Sequence, residues 1–358
     1  MPQSLISELH TQYAQFVRKH PHAERDFSDA LEDVLTDAGL TYDRVSARIK
    51  GWHSLKTKAR KKNAQGAFIY PHPWDDVHDI IGVRITTLHS TEIPQIIEAL
   101  ADVFTVERSV DKTALTRISG SFGYGSHHLI LKIDDRVKDL NNYVGMVFEV
   151  QIRTVLQHAW AEFEHDIRYK RSGDLDPQID RAFTLAAGLI ELADQQFDLI
   201  AAIQEPQKHS PNLEVDITAE TLPGVIAMLV GSRFPQSRSE HYRWLEELLF
   251  AHSITTAAQL KDLLNDRDIE AVRKALNYKF KPGQVRIIDD LLLYRYGTKH
   301  IEATGETGKN PRLRLPRLNE RLRILNKHAP SKPLRFTTIL NKRIVETTYF
   351  NVEENTDR

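Results

Sequence analysis

The chain has 358 residues, 41% hydrophobic and 27% charged, with 48 Lys and Arg against 49 Asp and Glu and no cysteine. That length predicts two or three domains, and the charge balance excludes both a uniformly basic nucleic-acid binder and an acidic disordered chain. The absence of cysteine excludes disulfides, thiolate metal sites and cysteine nucleophiles. With no apolar run near the ~20 residues of a membrane span, the expectation is a soluble, cytoplasmic protein with no membrane partner.

In chain order, Leu5, Leu9, Tyr13 and Phe16, then Phe27, Leu31, Val34 and Leu35, recur at helical spacing and predict two helices before Gly39. Val45 to Lys50 alternates as a strand, and Ser54 is placed to cap a Lys-rich helix ending near Asn63. A strand at Ile80–Thr87, a helix at Ile93–Phe104 and a strand at Phe104–Val110 follow. Lys112 to Ser126 reads as a loop, His128–Ile133 and Val144–Ile152 as strands, and Thr154 to about Tyr169 as a long helix. The order predicts an α+β domain with a mixed β-sheet flanked by helices. Asp176–Ile203 carries a strong helical stripe, and Pro206 and Pro211 mark a boundary. Short helices are expected at 220–229, 241–251, 257–264, 269–276 and 284–296. The resulting division is 1–205 for the α+β domain with its N-terminal helices, 206–300 for a helical domain, and 301–358 for a basic C-terminal extension.

Charge is uneven along this plan. Arg44 to Lys62 holds eight basic residues and no acid, and Lys309 to Arg343 holds eleven against the single Glu320. Such asymmetry says more than the net charge. A solvated face is the ordinary reading of either run.

Four short blocks carry chemistry. Asp79-Ile80-Ile81-Gly82-Val83-Arg84 sets a carboxylate before a buried strand and an arginine within it, with a glycine where a ligand could approach. In Glu149-Val150-Gln151-Ile152-Arg153-Thr154, alternation puts Glu149, Gln151 and Arg153 on one strand face. Gly123-Tyr124-Gly125-Ser126-His127-His128 offers a flat ring at Tyr124 and a ring donor at His128. Arg48 and Lys50, with Lys56, Lys58 and Arg60 on the next helix, make a cradle for polyphosphate. Each block alone also fits a bland role: a solvated strand face, a rim tyrosine, a satisfied histidine. Together they suggest two nucleotides and a magnesium ion.

The set Arg48-x-Lys50-x3-Ser54-x-Lys56-x-Lys58, Asp79-x-x-Gly82-x-Arg84, Gly123-Tyr124-x-Ser126-x-His128 and Glu149-x-Gln151-Ile152-Arg153-Thr154, followed by His158-Ala159-Trp160-Ala161-Glu162 and Tyr169-Lys170, resembles the RelA/SpoT-type alarmone synthetases over about Tyr42 to Lys170. The resemblance implies a nucleotidyltransferase-like synthetase domain and a short, synthetase-only member with a helical C-terminal domain. It implies Mg2+-dependent transfer of the β,γ-pyrophosphoryl group of ATP to the ribose 3′-hydroxyl of GDP or GTP. By this similarity Asp79 and Glu149 are the catalytic and metal-binding carboxylates. Arg48, Lys50, Ser54, Lys56, Lys58 and Arg84 bind ATP, and Tyr124, His128, Gln151, Arg153 and His158 meet the acceptor nucleotide.

The acceptor loop departs from the pattern. Gly120, Phe122 and Gly125 stand where many members carry Lys, Asn and a cationic or amide residue. Two contacts to acceptor phosphates are thus missing, which leaves room for substitutes such as Lys112 or Arg117. Two further readings stay open: a toxin-like relative that pyrophosphorylates tRNA 3′ ends or adenine nucleotides, with the second basic zone holding tRNA, and a non-catalytic nucleotide-sensing module. About forty residues before Tyr42 are too few for the hydrolase domain of the bifunctional enzymes. Gly305-Glu306-Thr307-Gly308-Lys309-Asn310 fails as a phosphate loop, because Ala303 and Asn310 stand where Gly and Ser or Thr are needed. The region after Pro206 is free to cap the catalytic domain, build a homo-oligomer or bind a regulator.

Overall fold

The computed structural model describes residues 3–112, 126–170, 177–203 and 216–328. Two N-terminal helices, α1 (Gln3–Lys19) and α2 (Ala23–Asp37), precede β1 (Arg44–Ile49) and a short helix α3 (Trp52–Ala59). After the single turn α4 (Pro73–Asp76) come β2 (Ile81–Thr87), α5 (Ile93–Val103) and β3 (Thr105–Asp111), then β4 (His127–Lys132) and β5 (Val147–Thr154). The five strands lie in the order β1-β2-β5-β4-β3, with β2 and β5 parallel and the other neighbours antiparallel. This is the expected mixed sheet.

Alternation gives the sheet two chemically different faces. Val45, Ile81, Val83, Ile85, Leu129, Leu131, Phe148, Val150 and Ile152 point to one side and pack under α2 and α5 against Phe27, Leu31, Leu35, Ile96 and Leu100. The other face carries Arg48, Arg84, His128, Glu149, Gln151 and Arg153. At the β1 edge, Glu24 Oε1 accepts from the Ile49 amide (2.9 Å) and Ser28 Oγ from the Ala47 amide (3.0 Å). α2 thereby satisfies an edge strand that would otherwise invite pairing with another chain.

Two local readings need correction. Ser54 does not cap α3: the helix starts at Trp52 with Gly51 as N-cap, and Ser54 is exposed inside the first turn. Trp52 sets the start, because its ring packs against His10 and Tyr13 of α1 and draws the chain into the helix early. The strand expected from Val144 begins at Val147, since Gly145 at φ +87° turns the chain and donates to Ile133 O.

β5 runs directly into α6 (Val155–Lys170), through a reciprocal cap in which Thr154 Oγ1 accepts from the Gln157 amide and Gln157 Oε1 from the Thr154 amide. α7 (Pro177–Ile203) packs on α6 through Trp160, Phe183 and Ala187. It is pinned to the sheet by Thr154 Oγ1–Asp194 (2.9 Å) and by the Ser90 amide donating to Asp198 (2.8 Å).

The rest is helical: α8 (Leu222–Val230), α9 (Ser239–Phe250), α10 (Ala257–Leu263), α11 (Asp266–Leu276), α12 (Gln284–Tyr296), α13 (Thr298–Thr304) and α14 (Pro311–His328). Local signals punctuate it, with a capping box at Thr256 and Gln259, an Asn265 N-cap, and Asn277 left-handed at the end of α11. These helices share a second core, to which α14 contributes Leu318 and Leu325. The Pro-punctuated start of the basic stretch is therefore helix within this core as far as His328. The basic residues beyond it, from Lys332 to Arg343, lie outside the described residues, as does the boundary at 205 and 206.

Helix α2 also joins the two cores. Its outer face pairs with the C-terminal helices through Asp33–Arg317 (2.8 Å), Asp37–Arg286 and Glu32–Lys309, beside Asp139–Arg317 (2.8 Å) and Lys138–Glu320 (2.9 Å). Gly39 and Gly283 meet backbone to backbone, so close that a Cβ on Gly283 would lie 2.6 Å from Gly39 Cα, and the Gly283 amide donates to Asp37 O. A cavity of about 590 Å³ lies along this seam. The turn rejected above as a phosphate loop lines it, with Thr307 accepting from Trp244 and Lys309 paired to Glu32.

Candidate functional site

The polar sheet face brings six of the sequence-selected residues, Arg48, Arg84, His128, Glu149, Gln151 and Arg153, together by register alone. Arg48 on β1 lies opposite Gly82 on β2, and Gly82 opposite Glu149 on β5; Arg84 lies opposite Gln151, and Gln151 opposite His128 on β4. Gly82 is the bare position in this row, where a Cβ would lie 4.0 Å from Arg48 Nε, at ordinary contact distance.

One end of the face is a lysine clamp. Lys50 and Lys58 both donate to Asp79 Oδ2, at 2.8 and 2.9 Å, while Lys58 stands over the Tyr70 ring. Burial pushes the Asp79 carboxyl up, but the two lysine hydrogen bonds and charges outweigh it and hold the group below the ordinary carboxylate range. Asp79 Oδ1 is buried with no hydrogen-bond partner.

The middle is a hydrogen-bonded row. Arg153 donates to Gln151 Oε1 (2.6 Å), Gln151 Nε2 donates to Glu149 Oε2 (2.8 Å), and His128 Nδ1 faces Glu149 Oε1 at 2.8 Å. The other ring nitrogen of His128, Nε2, lies 2.6 Å from Ser126 Oγ, so the ring is held at both nitrogens. Burial opposes ionisation of Glu149, yet His128 and Gln151, helped by the Lys112 charge, bring its pKa down to about 2. Burial and the nearby Arg84 lower Arg153 to about 10.

The far end belongs to α6. Glu162 pairs with Arg84 at 3.0 Å and lies 3.7 Å from His158, whose pKa is lowered by burial and by Arg84. Arg84 Nε, Arg153 Nε and His158 Nδ1 are all buried without hydrogen-bond partners. The face thus holds polar atoms that its own side chains do not satisfy, a costly state unless a ligand completes it.

Of the sequence-selected residues, the fold gathers Arg48, Lys50, Lys58, Asp79, Arg84, His128, Glu149, Gln151, Arg153 and His158. Lys56 lies on α3 with Lys58, and Ser54 is on the exposed side of that helix. Tyr124 lies outside the described residues, with Gly120, Phe122, Gly125 and Arg117. Sequence reasoning gave no role to Ser126 or Glu162, although the spacings Ser126-x-His128 and His158-x3-Glu162 were there to be read. Lys112, offered above as a substitute contact to the acceptor, lies near enough for its charge to lower Glu149.

Comparison with known proteins meets this geometry directly. Residues 47–174, which contain every one of these side chains, match the family described as "Region found in RelA / SpoT proteins". The polar face lies within the residues that match this family. The chain is 26% identical over 204 residues to GTP pyrophosphokinase YjbM of Bacillus subtilis, covering 55% of this chain and 92% of that one. It is 27% identical over 154 residues to GTP pyrophosphokinase YwaC of the same organism, covering 43% and 71%. Among solved structures, small alarmone synthetase 1 of Bacillus subtilis bound to its product pppGpp aligns with a TM-score of 0.44 at 24% identity, over 54% of this chain and 98% of that one. The helices from α8 onward lie beyond the matched RelA/SpoT region.

Proposed function

We propose that this chain transfers the β,γ-pyrophosphoryl group of ATP to the 3′-hydroxyl of a guanine nucleotide, GDP or GTP, and releases AMP. The observation that carries the reading is one sheet face on which an ionised, hydrogen-bond-aimed Glu149 and a lysine-clamped Asp79 sit among cations with unsatisfied atoms.

In this reading the acceptor 3′-oxygen attacks the β-phosphorus and the bond from that phosphorus to the α,β-bridging oxygen breaks. Arg48, Lys50, Lys56, Lys58 and Arg84 hold the triphosphate, where cations stabilise charge moving onto the leaving AMP. Glu149 receives the hydroxyl proton, while His128 and Gln151 fix its two oxygens. Gln151, Arg153 and His158 face the acceptor side. Asp79 Oδ1 offers an orphaned oxygen for Mg2+, with Glu149 as the second carboxylate. No group of three His, Asp or Glu gathers among the described residues, and Mg2+ is ordinarily held by one or two carboxylates and substrate phosphates. Bound there, Mg2+ would supply neutralisation of the triphosphate.

The tRNA alternative draws on the second basic zone, and the structure spends much of that charge internally. Arg314, Arg317, Arg321 and Arg323 are paired with Asp289, with Asp33 and Asp139, with Asp289 and Asp290, and with Glu320. The deciding experiment incubates the protein with ATP labelled in its γ-phosphate and, separately, GMP, GDP, GTP, adenine nucleotides or tRNA. Label in a guanine nucleotide is expected. Label only in tRNA or an adenine nucleotide replaces the acceptor, and label in none of them supports the nucleotide-sensing module.

A further inference from the structure

Each oxygen of Glu149 is held by a chain of two side chains. On one side Arg153 donates to Gln151 and Gln151 to Glu149 Oε2, at 2.6 and 2.8 Å. On the other, Ser126 Oγ meets His128 Nε2 at 2.6 Å and His128 Nδ1 meets Glu149 Oε1 at 2.8 Å. Arg153 and Gln151 face the acceptor in the reading above, and His128 touches the base. Ser126 has no part in that reading. It is buried, at 5% exposure, and its hydroxyl ends the row at the His128 ring.

The chemistry of imidazole gives this hydroxyl a consequence. A half-turn about Cβ–Cγ sets a ring carbon where each nitrogen stood, so a histidine with one partner is fixed at one point only. With partners at both nitrogens, one ring orientation satisfies both ends and the flipped one satisfies neither. An ionised carboxylate accepts but does not donate, so the hydrogen of the Glu149 contact belongs to Nδ1, while a serine hydroxyl can meet Nε2 as donor or as acceptor. Placement follows from the chain. Ser126 stands two residues before His128, the spacing that puts side chains on one side of an extended strand. Its carbonyl accepts from the Lys112 amide (3.3 Å), beside the Asp111–His127 register of β3 and β4, so the sheet itself holds it in place.

We propose that Ser126 is a positioning residue, whose hydroxyl locks the His128 ring in the one orientation that aims Glu149 at the acceptor 3′-hydroxyl. Ser126 has this role on the reading of Glu149 as the base, so one arm of the test needs no turnover. In the full-length protein, NMR of the histidine rings should show a protected Nδ1–H resonance, shifted far downfield, that is absent from His128→Ala. Ser126→Ala removes one oxygen and adds no bulk, and in it this resonance should broaden away as the ring flips. In the kinetic arm, Ser126→Ala should lower kcat for AMP release ~10–100-fold, with the KM values for ATP and acceptor within about twofold of the unmodified protein. In a His128→Ala background the same substitution should cost less than about twofold, because a residue that acts through His128 then has nothing to act on. An Nδ1–H signal missing from the unmodified protein or unchanged in Ser126→Ala would overturn the proposal. So would full turnover in Ser126→Ala, equal losses of kcat in the two backgrounds, or a loss confined to the acceptor KM, which would put Ser126 on the acceptor itself. If no guanine nucleotide is labelled, the reading of Glu149 falls separately, and the ring signal alone decides whether Ser126 holds His128.

Discussion

Two clusters of charge, one on the sheet face and one inside the helical region, are built from the same residue types and end in opposite states. Around α12, Asp289 takes hydrogen bonds from His300 and Arg314 and pairs with Arg321, while Asp290 is bonded by Arg286, Arg321 and Tyr278. Both aspartates are buried, and the cations drive Asp289 well below the ordinary carboxylate range despite the burial. On the sheet face, Asp79 Oδ1, Arg84 Nε, Arg153 Nε and His158 Nδ1 lack hydrogen-bond partners. A buried structural network has to be complete, because one missing partner leaves an uncompensated charge. A site is left incomplete so that substrate can finish it. Charge content does not separate the two clusters, but satisfaction does.

The largest expected effect sits where satisfaction is incomplete. Glu149→Gln keeps the shape but cannot take the 3′-hydroxyl proton, so AMP release per folded molecule should fall ~100-fold or more, well beyond any loss of stability that comes with the missing carboxylate. Near-normal turnover would remove Glu149 from the role of base. In the complete cluster the opposite pattern is expected. Asp289→Ala strands Arg314 and Arg321 and should cost about 3–5 kcal/mol in chemical denaturation, while turnover per folded molecule is kept.

Titration sharpens the contrast, because two carboxylates carry opposite signs. Glu149, brought down to about 2, contributes stability above its unfolded range near 4.5 that is lost as pH falls toward 2. Asp33, on the seam, is pushed up to about 6, because burial outweighs its pairing with Arg317. Its contribution is full below its unfolded range near 3.8 and is lost as pH rises through about 6. Between about pH 4 and 6.5, Asp33→Asn should therefore flatten the decline in stability, by on the order of 1–3 kcal/mol, in denaturation at several pH values. The smallest effect belongs to the rim: Lys309→Ala breaks an exposed pair with Glu32 and should change stability by less than about 1 kcal/mol.

Period and alternation made much of the fold legible. The β5 block could be assigned to one polar face because Val150 and Ile152 are apolar and Gln151 and Arg153 are not, and the parallel pairing with β2 then sets Gly82 beside Glu149. That pairing is non-local, so no window of sequence contains it. The Lys50–Asp79–Lys58 clamp was hidden for the same reason, although all three residues were selected. Ser54 misled because a good capping residue lost to Trp52, whose aromatic packing on α1 is long-range. The second basic zone could not be read as structural until its acidic partners, dispersed over α2, α12 and the turn near Asp139, were placed around it.

The meeting of Gly39 and Gly283 behaves as a weld made of backbone alone. No side chain exists there to be trimmed, so the joint can be altered only by adding matter. Gly39 is held at φ +68°, where any side chain is also strained, whereas Gly283 is not, so a single methyl at Gly283 acts as a pure wedge 2.6 Å from the opposing chain. Gly283→Ala would push α2 and the C-terminal helices apart while every charged group of the seam stays in the chain. Set beside Asp33→Asn, which removes a charge and adds no bulk, it would tell whether the helical region steadies the polar sheet face by where it stands or by the charges it brings.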